Sequence, residues 1–373
     1  MTAYRVISTD LRTGTRIAEI PLTGLQFSAR LNSIGTASGS LFLPPPTNEE
    51  NRVLASIYND AVDECRRQIV IEREGVPVWC GIVWLSPYND EKQTRDVRAS
   101  EDWSYFKRRV IDTRQEFTST DQLTIARTLI NNAQASPGGN INITVGSETS
   151  GVTISQTFER YELKPVSEAI EGIAATANGF DFAIEPSWNP TTGALIKNLR
   201  LSYPRRGRRF NETGWVFEIG RNVTAFDWPS DGTKVSNKVW ATGNGEGDAM
   251  LITSAADASQ ILAVSEGGPG YPLLESTLAI KDETSLSILT GRAQATLAAT
   301  ENPIVLPTIK VRADMDPVFG SFIVGDACRI VIPANVSPRF PAGLDTYRRI
   351  VGYDMAVSDE GDESLSLILG DEN

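Results

Sequence analysis

The chain has 373 residues, 40% of them hydrophobic and 22% charged, a folded composition with room for roughly two to four domains. Its formal net charge of −12 opposes binding to nucleic acid and to anionic membrane faces, and no stretch approaches the ~18–20 apolar residues that span a bilayer. Histidine is absent, which excludes Ser-His-Asp and Cys-His catalysis and His-ligated zinc, and Cys65, Cys80 and Cys328 form no CxxC pair.

Met1 to Asp10 alternates apolar and polar residues and lacks the basic-then-apolar run of a signal peptide. This predicts a protein kept in the cytoplasm or carried out of it on a particle. Two-residue alternation predicts strands at Tyr4–Val6, Ile17–Ile20, Leu25–Leu31 and Leu41–Leu43. Pro44–Pro46 stops the last of these. Asn48 then reads as the N-cap of a short helix with Val53, Leu54 and Ile57 on its apolar face. Strands resume at Gln68–Glu72 and Val78–Leu85, the second apolar on both faces and so central, and a polar strand at Gln93–Ala99 leads to Trp103.

Beyond Arg109, Ser119-Thr120-Asp121 caps a predicted helix carrying Leu123, Ile125, Ala126, Leu129 and Ile130. Short strands follow at Ile141–Val145 and Val152–Ile154. A second helix places Val166, Ala169, Ile170, Ile173, Ala174 and Ala177 on one face and stops at Asn178-Gly179. Strands at Phe180–Glu185 and Leu199–Tyr203 complete an α+β unit, which ends in the basic run Arg205 to Arg209. Further strands are predicted at Trp215–Ile219, Val223–Trp228 and Val235–Thr242. An Ala-, Ser- and Gly-rich stretch then holds one helix, about Ser285 to Ala299. The tail reads as strands at Ile304–Ala313, Ala327–Ile332, Tyr347–Val357 and Glu363–Leu369, with a hairpin turn at Asp359–Asp362.

A weak internal repeat runs through the two ends. Gln68–Ile71, Gly81–Val83, Tyr88 and the turn at Asn89 are echoed by Arg329–Ile332, Ile350–Gly352, Tyr353 and the turn at Asp359. The expected fold is therefore mainly β with α+β: a first antiparallel β-barrel (1–108), an α+β domain (109–209), a second barrel split over 210–242 and 304–373, and a helix-containing insertion (243–303).

Chemistry finds little footing. Asp60, Asp63 and Glu64, and Asp359, Glu360, Asp362 and Glu363, could pair as glycosidase carboxylates, but both clusters fall in turns or beside helices, where acidic groups are usually just solvated. Asp314 and Asp316 precede Pro317 and fit no calcium loop. Gly243–Asp248 resembles a phosphate cradle, yet no Lys-Ser/Thr follows, and Glu246 and Asp248 repel phosphate. No catalytic, metal or cofactor residue is predicted. Arg205, Arg206, Arg208 and Arg209 form the densest basic patch and are expected to pair with acidic neighbours, within the chain or across a subunit boundary. Trp79, Trp84, Trp103, Trp215, Trp228 and Trp240 lie in or beside apolar strands and read as core, whereas Trp188, in Pro186–Pro190, reads as a loop residue available to a partner.

Several stretches in their order resemble the hub, or tail-associated, minor tail proteins of long-tailed phages: Val78–Val83, Ala99–Arg109, the helix Asp121–Arg127, Gly325–Ile330 and Tyr347–Tyr353. The resemblance implies two tube-like barrels per subunit and a homotrimer whose six barrels form a ring matching the tail tube. It also implies a distal tail protein, the tape-measure protein and other minor tail proteins as partners, and a place at the virion's tail tip after assembly in the bacterial cytoplasm. DNA would pass through the ring without specific binding, past an acidic wall. Larger relatives carry a long C-terminal extension, while this chain stops at Asn373 just past its last strand, so adsorption and cell-wall hydrolysis are expected of other proteins. Two other classes stay open: a carbohydrate-binding adsorption module and a carboxylate-dependent glycosidase.

Overall fold

The computed structural model describes residues 3–176, 178–281, 283, 286–300 and 306–372. The chain forms two compact units, Met1–Phe226 with Thr308–Asn373, and Asp227–Pro307.

The first unit is built on a 14-stranded sheet. From one edge its order runs Val223–Asp227, Thr308–Val311, Glu363–Gly370, Leu344–Val357, Leu22–Arg30, Thr36–Phe42, Thr94–Glu101, Val76–Leu85, Arg67–Arg73, Tyr4–Asp10 and Arg16–Glu19. Val76–Leu85 is central, as its two-sided apolar sequence predicts: it pairs with strands on both flanks, and Trp79 to Val83 are buried. The turn predicted near Asp359 closes the last hairpin, with Ser358 N–H donating to the Asp362 carbonyl and Gly361 at φ 85°.

The strands assigned to the two predicted barrels lie in one continuous sheet. Leu344–Val357 is 14 residues long, enough to pair with Glu363–Gly370 along one flank and, through Gly352–Ala356, with Gln26–Arg30 along the other. That second ladder joins the two halves into one sheet, and among the described residues its pairings do not close into a ring.

Against this sheet lie two helices. Asp121 caps Gln122–Ala135, its carboxylate accepting from the N–H of Leu123 (2.9 Å) and Thr124 (3.3 Å). The second helix is Val166–Ala174; Ala177, expected on its apolar face, lies outside the described residues. Leu123, Ile130, Ile170, Phe106 and Trp103 pack into one core with Phe182 and Leu201 of the small sheet formed by Ile143–Val145, Leu195–Ser202 and Asp181–Trp188. The first helix, Glu49–Ala61, is capped by Asn48 as expected. Its apolar face is not buried, however: Val53 is 50% and Ile57 41% exposed, and only Ala61 is enclosed.

The second unit centres on Lys238–Thr242, which pairs antiparallel with Ile252–Ala256 and parallel with Glu275–Ala279. The sequence reading grouped this strand with the second barrel. Its inward residues Val239 and Ala241 instead meet Leu289, Ala293 and Leu297, one per helical turn of Leu286–Thr300. Ser285, the expected start of that helix, and Ile304 and Val305 of the expected strand lie outside the described residues. Among the described residues no helix is long and apolar enough to cross a membrane.

Candidate functional site

The basic run after Leu195–Ser202 turns inward. Arg206 is only 8% exposed; its guanidinium donates to the Val324 carbonyl and to Glu185 Oε1 at 2.5 Å. Its backbone N–H donates to Asp181 Oδ2 at 2.7 Å. Arg349, from the long strand, bonds the same Asp181 oxygen and reaches the carbonyls of Arg206 (2.7 Å) and Gly325 (3.0 Å). Asp181 Oδ1 accepts from Asn32 at 2.7 Å. One buried carboxylate thus ties three distant stretches of chain together.

Arg208 forks onto the buried Asp326, with bonds of 2.6 and 3.2 Å, and Arg205 donates to the backbone carbonyls of Glu372 (2.6 Å) and Gly325 (3.1 Å). Burial pushes the Glu185 carboxyl upward, but hydrogen bonds and charge from Arg206 and Arg200 outweigh it and hold the group below its ordinary value. Of the four predicted contact arginines, three are committed to partners inside the chain. Arg209 is exposed; its backbone N–H is held by Glu212 Oε2 at 2.6 Å.

Trp188 is not in a loop. It ends strand Asp181–Trp188, half-buried, because the antiparallel ladder with Leu195–Ser202 runs through Pro186 to the Trp188–Leu195 pair. Its indole N–H donates to Glu72 Oε1 at 2.5 Å, and the Arg16 guanidinium lies 3.9 Å from the ring centroid. Each of the seven tryptophans is buried or half-buried.

Most members of the acidic clusters are likewise bound up in the fold, while Glu360 and Asp362 stay exposed. Asp60 and Asp63 pair with Arg67 and Arg66, Glu64 meets Arg95 and Ser86, and Glu363 takes a bidentate grip from Arg73 (2.7 and 3.0 Å). Asp359 accepts the Gly24 N–H at 2.9 Å. Among the described residues no group of three or more metal-ligating side chains comes together.

Sequence reasoning missed a buried polar cluster under the central strand. Lys197 is fully enclosed, donating to the Leu11 carbonyl (2.9 Å) and Gln68 Oε1 (3.1 Å), with Asp102 Oδ1 4.0 Å away. The Cys80 thiol donates to Asp102 Oδ2 at 3.1 Å. Burial lowers the Lys197 pKa against the pull of Asp102, and it raises the Cys80 thiol, which disfavours the thiolate. The signal was present: Leu195, Lys197, Leu199 and Leu201 share one phase of an alternating strand. Neighbouring Glu101 accepts the Gly35 N–H at 2.6 Å, and burial chiefly, with the charge of Asp102, leaves its carboxyl pushed up to about 8.

No protein-family model and no curated protein matches the sequence. Solved structures do. The tail protein from Neisseria meningitidis MC58 aligns over 98% of this chain and 96% of its own, at 14% identity and a TM-score of 0.60. The 43 kDa tail protein of prophage MuSo2 from Shewanella oneidensis aligns over 99% and 98%, at 12% identity and 0.62. Prophage tail protein gp18 from Listeria monocytogenes EGD-e aligns over 99% and 95%, at 10% identity and 0.52. Matched nearly end to end in both directions, the chain has the fold of phage tail proteins.

Proposed function

We propose that this chain is a structural subunit of a phage tail tip, a baseplate hub protein that joins tail tube to tip as a homotrimeric ring around the channel for DNA. The observation that carries the reading is the likeness of fold to tail proteins along almost the whole chain. The polar groups support a structural role as well. The arginines, carboxylates and buried lysine described above mostly hold strands together, and among the described residues no metal cage forms.

Among the described residues the main path of the sheet ends in Arg16–Glu19 at one side and Val223–Asp227 at the other, and such edge strands favour association with further chains. Closure into tube-like barrels, and of three subunits into a ring, belongs to this proposal, as do a distal tail protein and the tape-measure protein as partners. Of the predicted contact residues, the exposed Arg209, whose side chain is not drawn into the interior, is the candidate for a partner contact. A net charge of −12 suits a channel wall that must not hold phosphates. The carbohydrate-binding reading loses its tryptophan platform, since none of the seven is exposed.

Light scattering on the purified chain tests the ring. A homotrimer has a mass of about 122 kDa, three times 40.6 kDa. A mass of one chain at every concentration, alone and with the distal tail protein added, would refute the trimer.

A further inference from the structure

The buried cluster beneath the central strand holds polar atoms that the chain itself does not satisfy. Lys197 lies in the middle strand of the small sheet, in register with Ile143 on one side and Pro186 on the other, so its backbone is fixed. Its ammonium has three N–H donors. Two go to the Leu11 carbonyl and Gln68 Oε1, at 2.9 and 3.1 Å. The third has Asp102 Oδ1 standing 4.0 Å away, beyond a hydrogen bond.

Asp102 Oδ1 accepts no hydrogen bond among the described residues, although Asp102 is wholly buried. The other oxygen of that carboxylate holds the Cys80 thiol at 3.1 Å. Gln68, also wholly buried, turns its Oε1 to Lys197 and is left with an unpartnered donor, Nε2. Buried polar atoms are nearly always paired, with protein or with ordered water, so unmet atoms gathered around one lysine point to an occupant.

The geometry fixes its size, and the charges fix its kind. Two ordinary hydrogen bonds of about 2.8–2.9 Å span the 4.0 Å between Lys197 and Asp102 at an angle of about 90°, which leaves room for a bridge of one heavy atom. A cation would meet the Lys197 ammonium, and an anion would meet the Asp102 carboxylate. The occupant must accept from one side and donate to the other. A cleft of about 540 Å³, lined by the exposed Val76 and by Cys80 and Asp102, brings solvent next to the cluster.

We propose that one internal water bridges Lys197 Nζ and Asp102 Oδ1, accepting from the ammonium, donating to the carboxylate and accepting a further bond from Gln68 Nε2. It completes a joint between strand Arg67–Arg73, the turn Asp102–Arg108 and strand Leu195–Ser202, and so belongs to the docking of the small sheet on the large one. The site is independent of any tail-tip role.

X-ray diffraction from crystals of the full chain, at a resolution that shows single waters, tests the bridge. One solvent peak should stand within about 2.6–3.2 Å of both Lys197 Nζ and Asp102 Oδ1. No peak there, or a direct hydrogen bond between the two side chains, overturns the proposal. Crystals soaked in rubidium bromide should show no anomalous signal at the peak; a signal identifies an ion and overturns the water. The double variant Lys197→Met with Asp102→Leu removes both charges together, so no unpaired charge is left buried, and it should lose the peak. A peak that persists in this variant is not held by these two groups and overturns the bridge. If the double variant does not fold, the parent structure and the soak still decide.

Discussion

Replacing Glu101 by Gln tests the electrostatics of the buried polar cluster beneath the central strand. Burial, opposed by the Gly35 N–H and assisted by the charge of Asp102, pushes this carboxyl from an ordinary 4.5 up to about 8. Between those values the folded chain holds a proton that the unfolded chain has lost, so stability falls as pH rises through the window. The penalty is absent below about pH 4.5 and complete above about pH 8. At 1.36 kcal/mol per pH unit the ceiling is roughly 4–5 kcal/mol, and the partial exposure of Glu101 reduces it to about 2–4 kcal/mol. Gln keeps an acceptor for Gly35 N–H and carries no charge at any pH. Urea unfolding of both proteins at intervals from about pH 5 to about pH 9 isolates the effect, because the other titrating groups cancel in the difference. The Gln variant should gain about 2–4 kcal/mol on the parent across that range. Stability curves that stay parallel would refute the argument that Glu101 is desolvated.

Asp181→Ala should cost the first unit about 3–5 kcal/mol in urea unfolding, because Arg349 and the Arg206 N–H lose the buried carboxylate they share. Leu289→Ala should lower stability of the second unit by about 2–5 kcal/mol, measured by the thermal transition, since Leu289 is wholly buried against Val239 and Ala241. Arg209→Glu should leave the thermal transition of the isolated chain unchanged, within about 0.5 kcal/mol, because the side chain is exposed. The same variant should lower the trimer fraction in light scattering; an unchanged fraction removes Arg209 from the subunit contact.

What the sequence by itself determined is local. Asn48 and Asp121 mark helix starts because a side-chain oxygen two or three residues from a bare N–H acts within its own turn. Val76–Leu85 reads as central because its residues are apolar in both phases, and the last hairpin reads from its turn residues. The tertiary structure decided whatever required knowing which distant segment comes alongside. The pairing of Gly352–Ala356 with Gln26–Arg30 merges two halves that look separable along the chain, and no local pattern encodes it. The arginine run reads as a surface patch until Asp181, Glu185 and Asp326 arrive from elsewhere to neutralise it. Trp188 reads as a loop residue between two prolines until its antiparallel partner draws the strand through Pro186. Val53 and Ile57 meet the opposite fate: helical spacing predicts burial, but they stay 50% and 41% exposed. Periodicity and caps act over a few residues and survive in one dimension, whereas burial and charge pairing are properties of the space that the whole chain encloses.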